Sequence, residues 1–139
     1  MRIKLMLLAL SAVVLIQCKT ETMKSESIEK DINIFVGTYT NEQSKGIYKY
    51  SMQADGTLDS IGLMAETASP SFLKLTDNGE HLIAVNEISR EDQTGTVESY
   101  KVHTDSLELV SQSSTGGAHP CYVTVNKEGL VLVSNYTGG

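Results

Sequence analysis

The sequence has no tryptophan, two phenylalanines and two prolines among its 139 residues. With so few large aromatic residues, a hydrophobic core must be built mainly from valine, isoleucine and leucine. The β-branched members of that group fit the pleated, half-buried surface of a sheet. A content of 40% apolar and 20% charged residues excludes a disordered or collagen-like chain. The composition therefore favours a folded protein that is rich in strands.

Positive charge is also scarce. Eleven basic residues stand against seventeen acidic ones, a formal net charge of −6. Arg2 and Lys4 lie in a predicted signal segment, and without them nine bases face seventeen acids, or −8. Proteins that bind nucleic acid present clustered basic residues, and the second half of this chain has no such cluster. The charge pattern therefore excludes nucleic-acid partners.

A hydrophobic run long enough for an ordinary transmembrane helix is missing at the N-terminus. Leu5 to Ile16 is an uncharged run of twelve residues that follows two basic residues, which is typical of a signal peptide. Cys18 ends a segment that is similar to a bacterial lipobox, although Gln17 departs from the usual small residue. We predict a signal peptide at 1–17 and lipidation of Cys18; a simple cleaved secretory peptide is the alternative.

The predicted location follows from that segment. Residues 18–31 read as the lipidated cysteine and a polar tether, and a folded domain is predicted for 32–139. The protein is therefore expected to be exported, as a periplasmic or outer-membrane lipoprotein that faces the periplasm or the cell surface. Its contact with the membrane is expected through the lipid anchor only.

The domain repeats itself with a period of about fifty residues. The segment from Ser69 to Gly79 aligns with His119 to Gly129 at an offset of 50, pairing Pro70 with Pro120. Each period contains four strand-sized pieces separated by turn residues, and a period of this length is typical of a β-propeller blade. The predicted strands in the best-defined period are 71–76, 82–86, 96–102 and 107–111. The predicted fold is thus an all-β propeller, of which this chain contains about two blades and the start of a third.

Propeller geometry predicts which side chains can meet. If the strands of a blade are named A to D from the centre outwards, the D-to-A and B-to-C connections emerge on one face. His119 lies in a D-to-A connection, whereas Glu87, Asn135 and Tyr136 follow strands B. We therefore predict that these four residues face one central pocket.

Each candidate also has a structural alternative. His119 could cap a loop, and Glu87 could be an ordinary solvated acid. Asn86 and Asn135 occupy one repeat position, which favours a role in turn formation for both. Cys121 has no cysteine partner if Cys18 is lipidated, and is expected to be a small buried hydrophobic residue. No His, Asp or Glu residues fall at metal-ligand spacing, so neither a metal nor another cofactor is expected.

Several motifs of the chain resemble those of one family, the seven-bladed propeller lactonases that include 6-phosphogluconolactonase and a carboxymuconate cyclase. The matching segments are Phe35 to Thr40, Gly46 to Tyr48, Ser69 to Leu73, Ala84 to Glu87, Gly117 to Pro120 and Ser134 to Gly139. Members of the family are more than twice as long as this chain. The similarity covers Ile32 to the last residue and therefore implies an N-terminal fragment of such a propeller.

The resemblance implies hydrolysis of a sugar lactone to its open-chain acid by the complete propeller, and an inactive fragment. It implies His119 as base or proton shuttle, Glu87 orienting it, Asn135 as a donor, and Tyr136 and Asn86 in substrate binding. The expected partner is a small lactone or sugar acid. Arg90 is the only arginine after the signal, so cationic groups for an acidic substrate would come from other blades. The alternatives are a non-catalytic exported propeller that binds a sugar or a protein, and a lactonizing cycloisomerase.

Overall fold

The computed structural model describes residues 32–88 and 94–137, and all of its regular structure is β-strand. The predicted signal peptide, the lipidation site Cys18 and the tether lie outside the described residues, as does Arg90. No helix that is long and apolar enough to cross a membrane occurs within the described ranges. The nine strands are β1 Ile32–Gly37, β2 Gly46–Met52, β3 Leu58–Glu66, β4 Pro70–Leu75, β5 His81–Asn86, β6 Thr96–Val102, β7 Leu107–Ser114, β8 Ala118–Val125 and β9 Val131–Thr137.

The strands form three antiparallel sheets in sequence order. The second sheet, β4-β5-β6-β7, is a complete four-stranded blade, whereas the first contains β1-β2-β3 and the third β8-β9. All four strands predicted for the complete blade are present, with β7 extending three residues beyond its predicted end. The prediction of an all-β partial propeller is confirmed: β1 occupies the position of a strand B, and the described chain ends within a third blade.

Apolar side chains pack between neighbouring sheets, because alternate residues of each strand point to opposite faces. One cluster joins the first and second blades through Ile47, Leu82 and Tyr100. The other joins the second and third blades through Ile83, Val85 and Val123. Strand β5 therefore contributes Leu82 to one cluster and Ile83 to the other, which makes it the central strand of the described core.

Close approach between blades explains a glycine at the end of β1. A Cβ atom on Gly37 would lie 2.0 Å from the backbone oxygen of Pro70, at the start of the next blade. Because this neighbour is main chain, it cannot move aside as a flexible side chain would. The glycine thus lets β1 pass directly beside β4. The amine of Lys49 adds a second link between these blades by donating to the Thr104 carbonyl oxygen at 3.0 Å.

Candidate active site at one mouth of the propeller

Four strand connections emerge on the same face of the described sheets, which we call the mouth face. They are residues 38–45, 67–69, 87–95 and 115–117, of which 89–93 are not described. Backbone hydrogen bonds tie neighbouring connections together: the Glu87 amide donates to the Ser69 carbonyl, and the Gly95 amide to the Gly117 carbonyl, both at 2.9 Å. The face is therefore an interlocked layer of backbone from which side chains of adjacent blades can meet.

His119 stands on this face at the start of β8. Its φ of 52° lies in the left-handed region, and Ser69, its repeat equivalent, has a φ of 44°. In both strands the pairing register shifts just after the following proline. Since serine and histidine adopt the same unusual backbone, the conformation belongs to the blade architecture. The backbone at this position therefore does not require a particular side chain, and the imidazole of His119 is available to contact a ligand.

The ring of His119 is held on one side only. Its Nδ1 lies 3.1 Å from the hydroxyl oxygen of Thr137 at the end of β9. Nε2 has no hydrogen-bond partner among the described residues. A bond to one ring nitrogen fixes the orientation of the imidazole and leaves the other available for proton transfer.

Glu87 follows β5 and meets a residue that the sequence analysis missed. The hydroxyl of Tyr39, in the first blade, donates to Oε2 of Glu87 at 2.7 Å. This hydrogen bond, together with partial burial and the carboxylate charge, raises the pKa of Tyr39, so the phenol remains protonated as a donor. Tyr39 follows a strand B just as Glu87 does. The rule that selected Glu87 would have found Tyr39 had it been applied to the first blade.

Cys121 lies in β8, two residues after His119. The charge of its thiolate is the smallest of the causes that raise the pKa of Tyr39. The expectation that Cys121 is buried is wrong, because the residue is exposed and its thiol lies 3.7 Å from the Ser134 carbonyl oxygen. The register shift between Pro120 and Tyr122 puts this extra residue out of the sheet pairing. Tyr39, Glu87 and Cys121 thus come from three different blades.

The two asparagines at the shared repeat position both bind D-to-A connections. Asn86 is 1% exposed. Its amide nitrogen donates to the Thr67 hydroxyl and to the Ala68 carbonyl, both at 2.7 Å. Its amide oxygen accepts from the Thr96 hydroxyl at 3.0 Å. Asn135 donates to the Thr115 carbonyl at 3.0 Å. These contacts give both residues the structural role that the repeat position favoured. Substrate binding by them stays a prediction.

Asn135 and Tyr136 differ from Asn86 in which polar atoms lack a hydrogen-bond partner or are exposed. The buried Oδ1 of Asn135 has no hydrogen-bond partner among the described residues, whereas the equivalent atom of Asn86 accepts from Thr96 at the start of strand C. Tyr136 is 84% exposed. Tyr136 can thus offer its phenol to a ligand, whereas the Oδ1 of Asn135 is not accessible to one.

No hydrogen bond joins Glu87 to His119 among the described contacts: Glu87 is paired with Tyr39, and His119 with Thr137. Thr137, rather than Glu87, is therefore the residue whose contact can orient the imidazole of His119. Within residues 32–88 and 94–137, no three His, Cys, Asp or Glu side chains are grouped as metal ligands. The described side chains at this face can transfer protons and form hydrogen bonds.

A buried polar network fixes the connection that leads to the mouth face. Glu98 of β6 is 4% exposed and accepts hydrogen bonds from Thr67, Tyr100 and Gln112, with both the Thr67 and Gln112 distances at 2.7 Å. Burial, followed by the bond to Glu98, raises the pKa of Tyr100, which keeps the phenol protonated as a donor. Thr67 in turn accepts from Asn86. The carboxylate thus holds the segment that ends at Ser69.

Replacing Glu98 with alanine should destabilise the protein by about 3 kcal/mol, because three donors, one of them the buried phenol of Tyr100, lose their common acceptor. Chemical denaturation of the full-length protein measures this loss. Glu108→Ala is the matched control, since Glu108 is an exposed acid that contacts His103, and it should change stability little. Equal effects of the two substitutions would contradict the structural role of Glu98.

Two depressions of the surface lie away from the mouth face. One, of about 420 Å³, lies between the second and third blades and includes Ile83, Val97 and Val131 in its lining. Another, of about 430 Å³, lies between the turns Asp77–Gly79 and Asn126–Gly129 on the opposite face. In a propeller, the outer strands of the next blade cover the side of its neighbour. The first depression is therefore an uncovered blade side rather than a candidate site.

Comparison with known proteins supports the same architecture. A family model described as "Lactonase, 7-bladed beta-propeller" matches residues 33–139. The 6-phosphogluconolactonase of Formosa agariphila is 30% identical over 109 residues, which are 75% of this chain and 31% of that protein.

Two solved structures give the corresponding structural similarity. A Bacteroides fragilis protein assigned as a 6-phosphogluconolactonase superposes with a TM-score of 0.72 at 31% identity, covering 81% of this chain and 31% of that one. The periplasmic gluconolactonase of Pseudomonas aeruginosa gives 0.71 at 31% identity, covering 78% and 32%. The chain therefore spans about a third of the length of the relatives it matches.

Proposed function

The chain belongs to the seven-bladed β-propeller lactonase family, and from that premise we propose that its complete propeller hydrolyses a sugar lactone to the open-chain acid. By complete propeller we mean the full-length protein in which this segment is followed by the remaining blades. The observation that carries the proposal is the mouth face itself. It presents two polar atoms without a hydrogen-bond partner among the described residues, Nε2 of His119 and Oε1 of Glu87.

In the proposed reaction, Nε2 of His119 removes a proton from water as the oxygen attacks the lactone carbonyl. The tetrahedral oxyanion that forms collapses by breaking the bond to the ring oxygen, and the imidazolium returns its proton to that oxygen. General acid–base catalysis of this kind contributes about 10²- to 10⁴-fold to a rate. The bond between Nδ1 and Thr137 supports the role, because it holds the ring in one orientation.

The other predicted residues have distinct parts in this proposal. Asn135 can donate its second amide hydrogen to the developing oxyanion, since the first is directed to Thr115. Tyr136 offers an exposed phenol for a substrate hydroxyl. Asn86 contributes indirectly, because its two amide hydrogens are directed to Thr67 and Ala68 within the protein.

We propose an unphosphorylated lactone as the substrate. The predicted signal peptide supports a location outside the cytosol, and a structural relative is a periplasmic gluconolactonase. The test compares hydrolysis of glucono-δ-lactone and its 6-phosphate by the complete propeller. A higher kcat/KM for the unphosphorylated lactone is expected. Preference for the phosphorylated lactone would overturn the substrate, and hydrolysis of neither would overturn the lactonase function.

Export and anchoring form a separate prediction, carried by Cys18 at the end of the apolar segment. Acylation of the cysteine thiol should label the protein in cells fed a clickable palmitate, and Cys18→Ser should abolish the label. Cys121→Ser is the matched control and should leave the label intact, because Cys121 lies in the folded domain. Equal labelling of wild type and Cys18→Ser would contradict lipidation.

A further inference from the structure

We propose that Tyr39 is a positioning residue that acts through Glu87, holding its carboxylate at the mouth of the propeller for the lactone or the attacking water. The inference rests on the proposed function and adds to it a residue from the first blade. Tyr39 and Glu87 are 48 residues apart in sequence, and the hydrogen bond of 2.7 Å between them joins two blades.

The backbones that carry the pair are anchored to one residue, Ser69. The Glu87 amide donates to the Ser69 carbonyl at 2.9 Å. On the other side, the Ser69 amide donates to the Thr40 hydroxyl at 3.1 Å, and the Thr40 amide to the Ser69 hydroxyl at 3.4 Å. The backbone of Glu87 and that of Thr40, the residue after Tyr39, are thus both held by Ser69, independently of the bond between the two side chains. This arrangement reduces the entropy that an exposed hydrogen bond between flexible side chains would otherwise lose.

The hydrogen-bond directions suit a carboxylate that serves a ligand. The phenol donates to Oε2 and so fixes the plane of the carboxylate. Oε1 has no partner among the described residues and is free to accept from a water or a sugar hydroxyl. The raised pKa of Tyr39 agrees with this polarity, because a phenol that donates to a carboxylate is harder to ionise. Besides Glu87, the titratable group that affects the pKa of Tyr39 is Cys121 of β8, whose charge raises it slightly.

A spectroscopic titration tests the pair without reference to activity. With ¹³C-labelled tyrosine in the complete propeller, Tyr39 should ionise at higher pH than an ordinary tyrosine, whose pKa is about 10. Glu87→Gln removes the negative charge and should lower the pKa of Tyr39, whereas Cys121→Ser should have a smaller effect. An unchanged Tyr39 titration in Glu87→Gln would overturn the proposal.

A double-mutant cycle tests whether Tyr39 acts through Glu87 in the reaction. Tyr39→Phe should lower kcat about tenfold with little change in KM, because the lost bond orients a group without contacting the lactone. In the Glu87→Gln background the same substitution should have little further effect. Tyr50→Phe, in β2 and away from the mouth face, is the matched control and should leave kcat unchanged.

The outcomes separate this inference from the proposed function. Equal losses from Tyr39→Phe in both backgrounds would overturn the positioning role, as would an active Tyr39→Phe protein with unchanged kcat. A wild-type propeller that opens no lactone contradicts the proposed function instead, and the role of Tyr39 in the reaction falls with it. The titration still reports in that case whether the phenol and the carboxylate are paired.

Discussion

His119→Ala should lower kcat/KM for lactone hydrolysis by about 10²- to 10⁴-fold, the range that a general base contributes. Nε2 of this residue is the imidazole nitrogen on the mouth face that lacks a described partner. Its replacement removes the proton acceptor for water and leaves the fold in place, because Ser69 shows that the backbone conformation does not require histidine. Steady-state kinetics of the complete propeller measure the loss.

His103→Ala provides the matched control for this experiment. His103 follows β6 on the outer side of the blade and contacts Glu108, so its removal should leave hydrolysis unchanged. The same pair of variants separates an enzyme from a sugar- or protein-binding propeller. A binding protein would lack lactone hydrolysis in the wild type and should keep ligand affinity within a few fold in His119→Ala. Full hydrolytic activity of His119→Ala would contradict the catalytic assignment.

Residues 32–139 expressed alone should aggregate or form a molten state rather than a stable monomer. Strand β1 pairs only with β2, and the third sheet contains only β8 and β9 among the described residues. Open edges of this kind present unpaired backbone groups to other chains, and a two-stranded sheet is marginal in water. The expected result is therefore the loss of a cooperative folded state.

Exposed apolar side chains strengthen that expectation. Leu130, Leu132 and Ile32 are each more than half exposed, at 59%, 57% and 56%. Burial of such surface is worth about 25 cal/mol per Å², and the isolated segment forgoes it. Light scattering and a thermal scan test the prediction, with the complete propeller as control. A sharp, reversible transition from a monodisperse monomer would contradict it.

The repeat made the fold predictable from sequence. The alignment of Pro70 with Pro120 and the turn residues between apolar segments located every strand of the complete blade. The connection rule also placed His119 and Glu87 on one face without any structure. The strand assignment succeeded because strand alternation and blade connectivity depend on local pattern and on a regular architecture. A common pocket for His119 and Glu87 stays a prediction.

Side-chain partners across blades were not predictable in the same way. The contact of Tyr39 with Glu87 depends on how two blades are rotated against each other, which a period of fifty residues does not specify. The exposure of Cys121 depends on a register shift after Pro120. Both features arise from packing and irregular pairing, for which the sequence pattern carries no direct signal.

Glu98 illustrates a related difficulty. In sequence it is one acid among many, yet it is buried and accepts three hydrogen bonds from different segments. Charged residues are seldom buried unless their polar atoms are satisfied. The burial of Glu98 could therefore be predicted only by knowing that Thr67 and Gln112 are its neighbours. Its repeat equivalent in the first blade, Tyr48, gave no hint of that role.

The central claim is that lactone chemistry takes place at the mouth face formed by His119, Glu87 and Tyr39. The most direct test is a crystal structure of the complete propeller with the sugar acid product bound. We expect the sugar acid to lie within hydrogen-bond distance of Nε2 of His119 and Oε1 of Glu87. A sugar acid bound at the opposite face, beside His81 and Asn126, or on the outer rim, would contradict it.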